Sequence, residues 1–200
     1  MVYTPDDEPY LGLESVYHFD KVIVLCMEQN EEVARYTHDN SLNELQQAAS
    51  QIIPQGINVA LTIRELVRQG YLFGALILIR PLIERAATIS YLCEKPDEMG
   101  KWKMGWEIGK RPSFNKMLET MSGITNREEI KEIANLFHHI VHGDPIGSEW
   151  NLIEMNHGRL GHTVGKNIED DELCDFICVH SYLMLIVLME RMAQVFPKTD

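Results

Sequence analysis

Residues 71–94 read YLFGALILIRPLIERAATISYLCE, and this stretch decides the fold class. From Tyr71 to Ile79 it is apolar on every side of a helical projection. A helix without a polar face has to be surrounded by other elements. Arg80 cuts the run far short of the ~20 residues a bilayer crossing needs. The stretch therefore predicts a helix at the centre of a bundle. Pro81 lacks an amide hydrogen, so it is expected to bend or split that helix. Arg80 and Glu84 stand one turn apart on one side, and Tyr91 continues that side.

On the N-terminal side, Leu42, Leu45, Ala49, Ile52, Gly56, Val59, Ile63 and Leu66 follow at alternating spacings of three and four. That is an a/d seam, as in a coiled-coil-like helix pair. Ser41 with Glu44 reads as a capping box opening this second helix. Pro54 should kink it, and Gly70 should stop it. A first helix is expected from Leu13 to about Tyr36, with Val16, Tyr17, Ile23, Val24 and Met27 mainly along one side. On the C-terminal side, Lys95-Pro96 ends the central helix, and Ser113 caps a short one closing near Gly123. Thr125 with Glu128 reads as a second capping box, opening a fourth long helix that runs to His142 and stops at Gly143. A fifth spans Asp170–Gln194 and starts on acidic residues, which suits the helix dipole. Residues 144–168 hold Gly147, Gly158, Gly161 and Gly165 and show no periodicity. A connection that long in a compact domain is functional or disordered. No convincing strand pattern is visible. The expected architecture is all-α: a flexible N-terminus over residues 1–12, then one bundle of about five helices over 13–195, with a loop insertion at about 144–168.

Composition sets further bounds. A chain of 200 residues suits one domain and buries about 70% of its unfolded surface without staples. The formal net charge of −12 repels phosphate backbones, so nucleic acid would need a local basic patch. The four cysteines, Cys26, Cys93, Cys174 and Cys178, form no Cys-x-x-Cys pair and read as buried reduced thiols. Cys174 and Cys178 are one turn apart, but no partner ligands for a shared metal stand nearby. Residues 1–10 have neither the positive nor the apolar region of a signal peptide, and the chain is expected to be cytoplasmic.

The concentrated polar feature is Phe137-His138-His139-Ile140-Val141-His142-Gly143. At about 100° per residue, Ile130, Ile133, Ala134, Phe137 and Val141 form the expected buried stripe. Lys131, Asn135, His138 and His142 then share one flank of that stripe, and His139 points to solvent on the other side. Such a flank has three uses. Imidazoles shuttle protons near neutral pH, and a neighbouring cation stabilises a phosphate in flight. Two histidines one turn apart also bind metals. Alternatively, His142 complements the helix dipole and His138 hydrogen-bonds a neighbouring helix. Arg80 and Glu84 are the second candidates, either an internal salt bridge or a cleft pair facing the histidines, with Arg85 in reserve. The segment Lys101–Arg111 interleaves Lys101, Lys103, Lys110 and Arg111 with Trp102 and Trp106, a pattern that contacts phosphates and stacks on bases or anchors a loop to the core. The sequence has no P-loop, no dinucleotide fingerprint and no His-Glu-x-x-His. Glu154-x-x-His157 is a lone match to a metal motif that comes in pairs in di-iron bundles.

Ala75-Leu76-Ile77-Leu78-Ile79-Arg80-Pro81-Leu82-Ile83-Glu84, followed later by Leu136-Phe137-His138-His139-Ile140-Val141-His142-Gly143, resembles uncharacterised bacterial proteins related to the HEPN superfamily. The resemblance covers roughly residues 40–145. It implies a helical bundle, often dimeric, that acts as a metal-independent ribonuclease in toxin or phage-defence systems or serves as a binding module. The nuclease members carry an arginine, then four to six residues, then a histidine at a helix end. No arginine stands at that distance from His138, His139 or His142, and Arg80 from the third helix is the candidate replacement.

The expected function is RNA- or nucleotide-directed. His142 and His138 act as acid/base groups with Arg80, while Lys131, Asn135 and Glu84 contribute to binding. No metal or cofactor is called for. The alternative is a non-enzymatic module binding a partner protein or small ligand between the third and fourth helices. A third arrangement joins His138 and His142 to His157 or His162 around a metal. A homodimer is expected through the seam of the second helix or the apolar third and fifth helices.

Overall fold

A computed structural model describes residues 8–107, 111–121, 127–142, 145, 152–155, 158–162, 165 and 170–197. Among these, seven α-helices are present: α1 (Glu14–Asp39), α2 (Glu44–Arg68), α3 (Leu72–Glu94), α4 (Met99–Lys103), α5 (Phe114–Leu118), α6 (Arg127–His142) and α7 (Asp171–Val195). α1, α2, α3, α6 and α7 run 16 residues or more, and α4 and α5 are five-residue pieces. The described residues are all-α apart from one hairpin.

α3 is the centre. Leu72, Leu76, Ile79, Leu82, Ala86 and Ile89 are fully buried. It packs against α2 on one side, α7 on another, and α5 and α6 on a third. The all-round apolarity of residues 71–79 is the cause: each face needs its own apolar partner. α1 closes the layer against α7 and α2. Among the described residues one helix, α7, is long and apolar enough to cross a membrane by length and composition. In this fold its Leu173, Ile177, Leu185 and Leu188 are core residues.

Several local expectations are corrected. α2 is capped by Asn43, not Ser41. Asn43 Oδ1 accepts from Gln46 N at 2.9 Å, and Gln46 Oε1 accepts from Asn43 N at 3.1 Å. The start signal therefore lies two residues on, with Asn and Gln in the Ser and Glu roles. Glu44 instead meets Lys103 Nζ at 2.8 Å. Neither Pro54 nor Pro81 splits its helix. Each removes one backbone bond, and burial on both sides of the site holds the helix together. α1 buries Val16, Phe19, Ile23, Cys26 and Val33, so Tyr17, Val24 and Met27 turn outward. The a/d seam of α2 is real, but Ala49, Ile52, Gly56 and Ile63 are buried within the chain. Those four positions of the α2 seam are thus used inside the bundle, while Leu42, Leu45, Val59 and Leu66 are half-buried. Thr125 lies outside the described residues.

Inside the expected loop, Leu152–Met155 (β1) pairs antiparallel with Arg159–His162 (β2), with Leu152 opposite His162. Gly158, at φ 68°, stands at the turn. Strands of four residues carry too little alternation to be read from sequence. His157 lies outside the described residues, as does the side chain of His162.

The N-terminal segment from residue 8 onward is pinned rather than loose. Tyr10 is 1% exposed, and its hydroxyl accepts from Asp170 N at 3.3 Å. Arg64 Nη1 on α2 lies 2.6 Å from Glu8 Oε1, an ionic contact too poorly aligned for a directed hydrogen bond. Arg64 Nη2 also donates to Asp20 on α1 at 3.0 Å. Burial alone would lower the Arg64 pKa, yet its contacts with Asp20 and Glu8 hold it above the ordinary arginine value.

Candidate functional site

Arg80 leaves α3 toward α6 and α5. Its Nη1 donates to Ala134 O at 2.7 Å, and its Nε donates to Glu84 Oε1 at 3.2 Å. The guanidinium lies 3.6 Å from the centroid of Phe114, the first residue of α5. Ser113 positions that ring by capping α5, its hydroxyl accepting from Lys116 N at 3.3 Å. Arg80 is only 16% exposed. One cation thus ties three helices, combining a charge-assisted pair, a bond to a helical carbonyl and a cation–π contact. Its partners explain how an arginine sits inside an apolar helix: an unpaired buried charge would be prohibitive. Arg80 and Glu84 form a closed pair. Phe114 is the partner that sequence reading missed, since nothing in its spacing marks it.

α6 buries Ala134, Phe137 and Ile140. Val141 is 43% exposed, so Ile140 replaces it in the stripe. The side chains of Ile130 and Ile133 lie outside those described. The replacement rotates the helix relative to expectation. Asn135, His138 and His142 become exposed, with Lys131 beside them, instead of bordering the core. His139, expected in solvent, is half-buried. The rings of His138 and His142 still meet, with centroids 4.2 Å apart, and His139 lies 6.0 Å from His138. Lys131 Nζ lies 3.9 Å from Glu128 Oε1. The six candidates therefore form two groups: Arg80 with Glu84 in the α3–α6 seam, and Lys131, Asn135, His138 and His142 on the outer face of α6. Ala134 connects them. It receives Arg80 and stands one turn before His138 on the same helix.

A third group lies beyond Glu84. Arg85 Nη1 and Arg111 Nη2 both lie 4.0 Å from Glu84 Oε2, so three guanidiniums share one carboxylate. Beside them a cleft of about 400 Å³ opens between α2, α3 and α4, lined among others by Gln55, Glu84, Arg85, Trp102, Trp106 and Arg111. Lys101 and Lys103 of the same segment turn away, to Glu98 and Glu44 at 2.7 and 2.8 Å. Only half of the basic–aromatic pattern therefore faces the cleft, and Lys110 lies outside the described residues.

All four cysteines are free thiols. Burial raises the Cys26 pKa to about 12 and the Cys93 pKa to about 11. The hydrogen bond to Cys178, with burial, raises that of Cys174. Cys26, Cys93 and Cys174 are thus held as thiols, not poised as thiolate nucleophiles. No group of three or more His, Cys, Asp or Glu among the described residues comes together in a way that could hold a metal ion.

The chain matches no protein-family model, no curated protein and no solved structure.

Proposed function

We propose that this chain is an RNA- or nucleotide-directed bundle of the HEPN type, cytoplasmic and working without a metal. The observation that supports it most is the Arg80–Ala134 bond. It joins the arginine-bearing helix to the helix end that carries His138 and His142, one turn away. A buried cation and a pair of exposed imidazoles are thereby linked through one helix.

In the catalytic form, one imidazole takes the proton from a ribose 2′-hydroxyl as its oxygen attacks the phosphorus. The P–O5′ bond breaks, and the other imidazole, protonated, gives its proton to the departing oxygen. The products are a 2′,3′-cyclic phosphate and a free 5′-hydroxyl. Lys131 and Asn135, on the same exposed face, hold the phosphate oxygens. Arg80 supports this face through α6 instead of reaching the phosphate, because Glu84, Ala134 O and Phe114 occupy its guanidinium. The test is single-stranded RNA cleavage in EDTA by wild type and His142→Ala. The reading expects cleavage by wild type and a loss of about a hundredfold or more in the variant. Absent cleavage, or equal cleavage in both, removes the catalytic form.

The closed Arg80–Glu84 pair favours a second reading, a non-enzymatic module of the same fold that binds a small ligand or a partner protein. A homodimer stays part of the proposal, although four positions of the α2 seam are buried within the chain. It would form through the outer face of α1, where Tyr17, Val24 and Met27 are exposed. Sedimentation velocity of wild type and Val24→Asp over a hundredfold concentration range decides it.

A further inference from the structure

We propose that the cleft between α2, α3 and α4 is a binding site for a nucleoside 5′-phosphate. The site gives the nucleotide-directed reading above its ligand class and takes the class of ligand from it. Four observations carry it.

The first is charge. Among the residues that line the cleft, Arg85 and Arg111 face a single carboxylate, Glu84, which Arg80 already engages at closer range. Arg85 also donates to Pro81 O at 3.4 Å, and the lining sets two guanidiniums against this one shared carboxylate. In a chain of net charge −12, a local cationic excess has no role in general solubility. The planar fork of a guanidinium matches a phosphate group bidentately.

The second is shape and surface. Trp102 and Trp106 line the same cleft, and Arg111 lies over the Trp106 ring at 5.7 Å. Indole faces stack on any nucleobase. A volume of about 400 Å³ falls in the range of small-molecule pockets.

The third is polar recognition. Gln51 and Gln55 of α2 complete the opposite wall. An amide offers both donor and acceptor, which suits the edge of a base.

The fourth is strain. Trp106 has φ 43°, and it is the one non-glycine residue with positive φ among those described. Its Nε1 is buried without a hydrogen-bond partner. A bulky residue in this region is strained, and an orphaned buried donor adds a desolvation cost. Gly105, at φ 78°, makes the turn that swings the indole back over the cleft. The chain thus holds this ring against the cleft at a local energetic cost, which is the pattern of a binding residue.

Isothermal titration of the full chain with adenosine 5′-monophosphate tests the site, with adenosine, inorganic phosphate and a ten-nucleotide single-stranded RNA as further probes. Saturable binding of the monophosphate at one site per chain is expected. Adenosine and phosphate alone should each bind at least about tenfold more weakly, because each loses half of the recognition. Arg111→Ala should weaken the monophosphate at least about tenfold, and Arg111→Lys should fall between it and wild type. Arg111 is 52% exposed, so both variants should melt with wild type, and the melts confirm that they are folded. Absence of monophosphate binding, or equal affinity in wild type and folded Arg111→Ala, overturns the site. Tighter binding of the RNA than of the monophosphate, lost in Arg111→Ala, assigns the cleft to a nucleotide within a strand and overturns the free-nucleotide version. The histidine test is separate. Cleavage lost in His142→Ala without monophosphate binding leaves the catalytic reading standing and removes this site. Monophosphate binding sensitive to Arg111, without cleavage, does the reverse.

Discussion

Replacing Arg64 by methionine should cost about 3 kcal/mol. Arg64 is 13% exposed and Glu8 5% exposed, so the substitution strands a buried carboxylate. Breaking a buried pair in this way costs about 3–5 kcal/mol. The chain has one escape, which is to release the N-terminal segment and let Glu8 reach water. That route gives up the burial of Tyr10, about 1.5–3 kcal/mol, and the bond from Asp170 N to its hydroxyl, about 1 kcal/mol. The cheaper route sets the loss, hence about 3 kcal/mol. In a domain of this size that is about 6–12 °C in melting temperature. Glu8→Gln should cost less, under about 1.5 kcal/mol, because Arg64 keeps Asp20. Urea unfolding at pH 7 of wild type, both single variants and the double variant gives the coupling directly. A loss below about 1 kcal/mol for Arg64→Met refutes the reasoning. So does strict additivity of the two changes, which would mean that Glu8 and Arg64 do not sense each other.

Alkaline pH should weaken the fold. The folded pKa values of Cys26, Cys93 and Tyr10 are raised by burial to about 12, 11 and 12, so the neutral forms belong to the native state. Their contribution is complete below the unfolded values of 9.0 and 10.0, and it is lost as pH rises from there to 11–12. At pH 10, Cys26 alone should cost about 1.4 kcal/mol, and an unchanged urea midpoint between pH 7 and pH 10 contradicts this. Asn43→Ala should cost about 1 kcal/mol, whereas Ser41→Ala should stay within about 0.5 kcal/mol of wild type. The opposite order in thermal melts would return the cap of α2 to Ser41. Ser181 is fully buried with its hydroxyl unpartnered, so Ser181→Ala should be neutral or stabilising by up to about 1 kcal/mol. A clear loss of stability in urea would reveal an acceptor for that hydroxyl.

The long helices were legible because each carries a periodic signal over many turns, and in α3 the absence of a polar face already dictated its place. The start of α2 was misplaced because Ser41 and Glu44 satisfy the capping pattern as well as Asn43 and Gln46 do on paper. Only the tertiary fold decides, by giving Glu44 to Lys103. The hairpin escaped because four-residue strands sit below the length at which alternation is visible. In the candidate site, local spacing found the Arg80–Glu84 pair and the His138–His142 contact, both one turn apart. Spacing placed Ala134 and Phe137 correctly in the buried stripe of α6 but misplaced its edge, because Ile140 and not Val141 continues it. Long-range partners carried no signal. Arg80 meets Ala134 across 54 residues, and no periodicity records that. The cleft was half legible: Trp102, Trp106 and Arg111 stood out as a group, but Gln51, Gln55 and Arg85 come from other helices.

The tie between Tyr10 and the start of α7 has a consequence for how the chain folds. Tyr10 and Asp170 are 160 residues apart, as are Ser15 and Asp175, which also meet, and Gln29 and Met189. α1 has most of its packing partners on α7. On the ribosome, α1 therefore has only its smaller contact with α2 until the last helix has emerged, and the side that meets α7 waits exposed throughout synthesis. α2 and α3 can pair early, as a hairpin of neighbours, while closure of the bundle depends on the slow search that long-range contacts impose. Loss of α7 should then leave α1 unhoused and the helical remainder prone to aggregate, instead of producing a smaller version of the same domain.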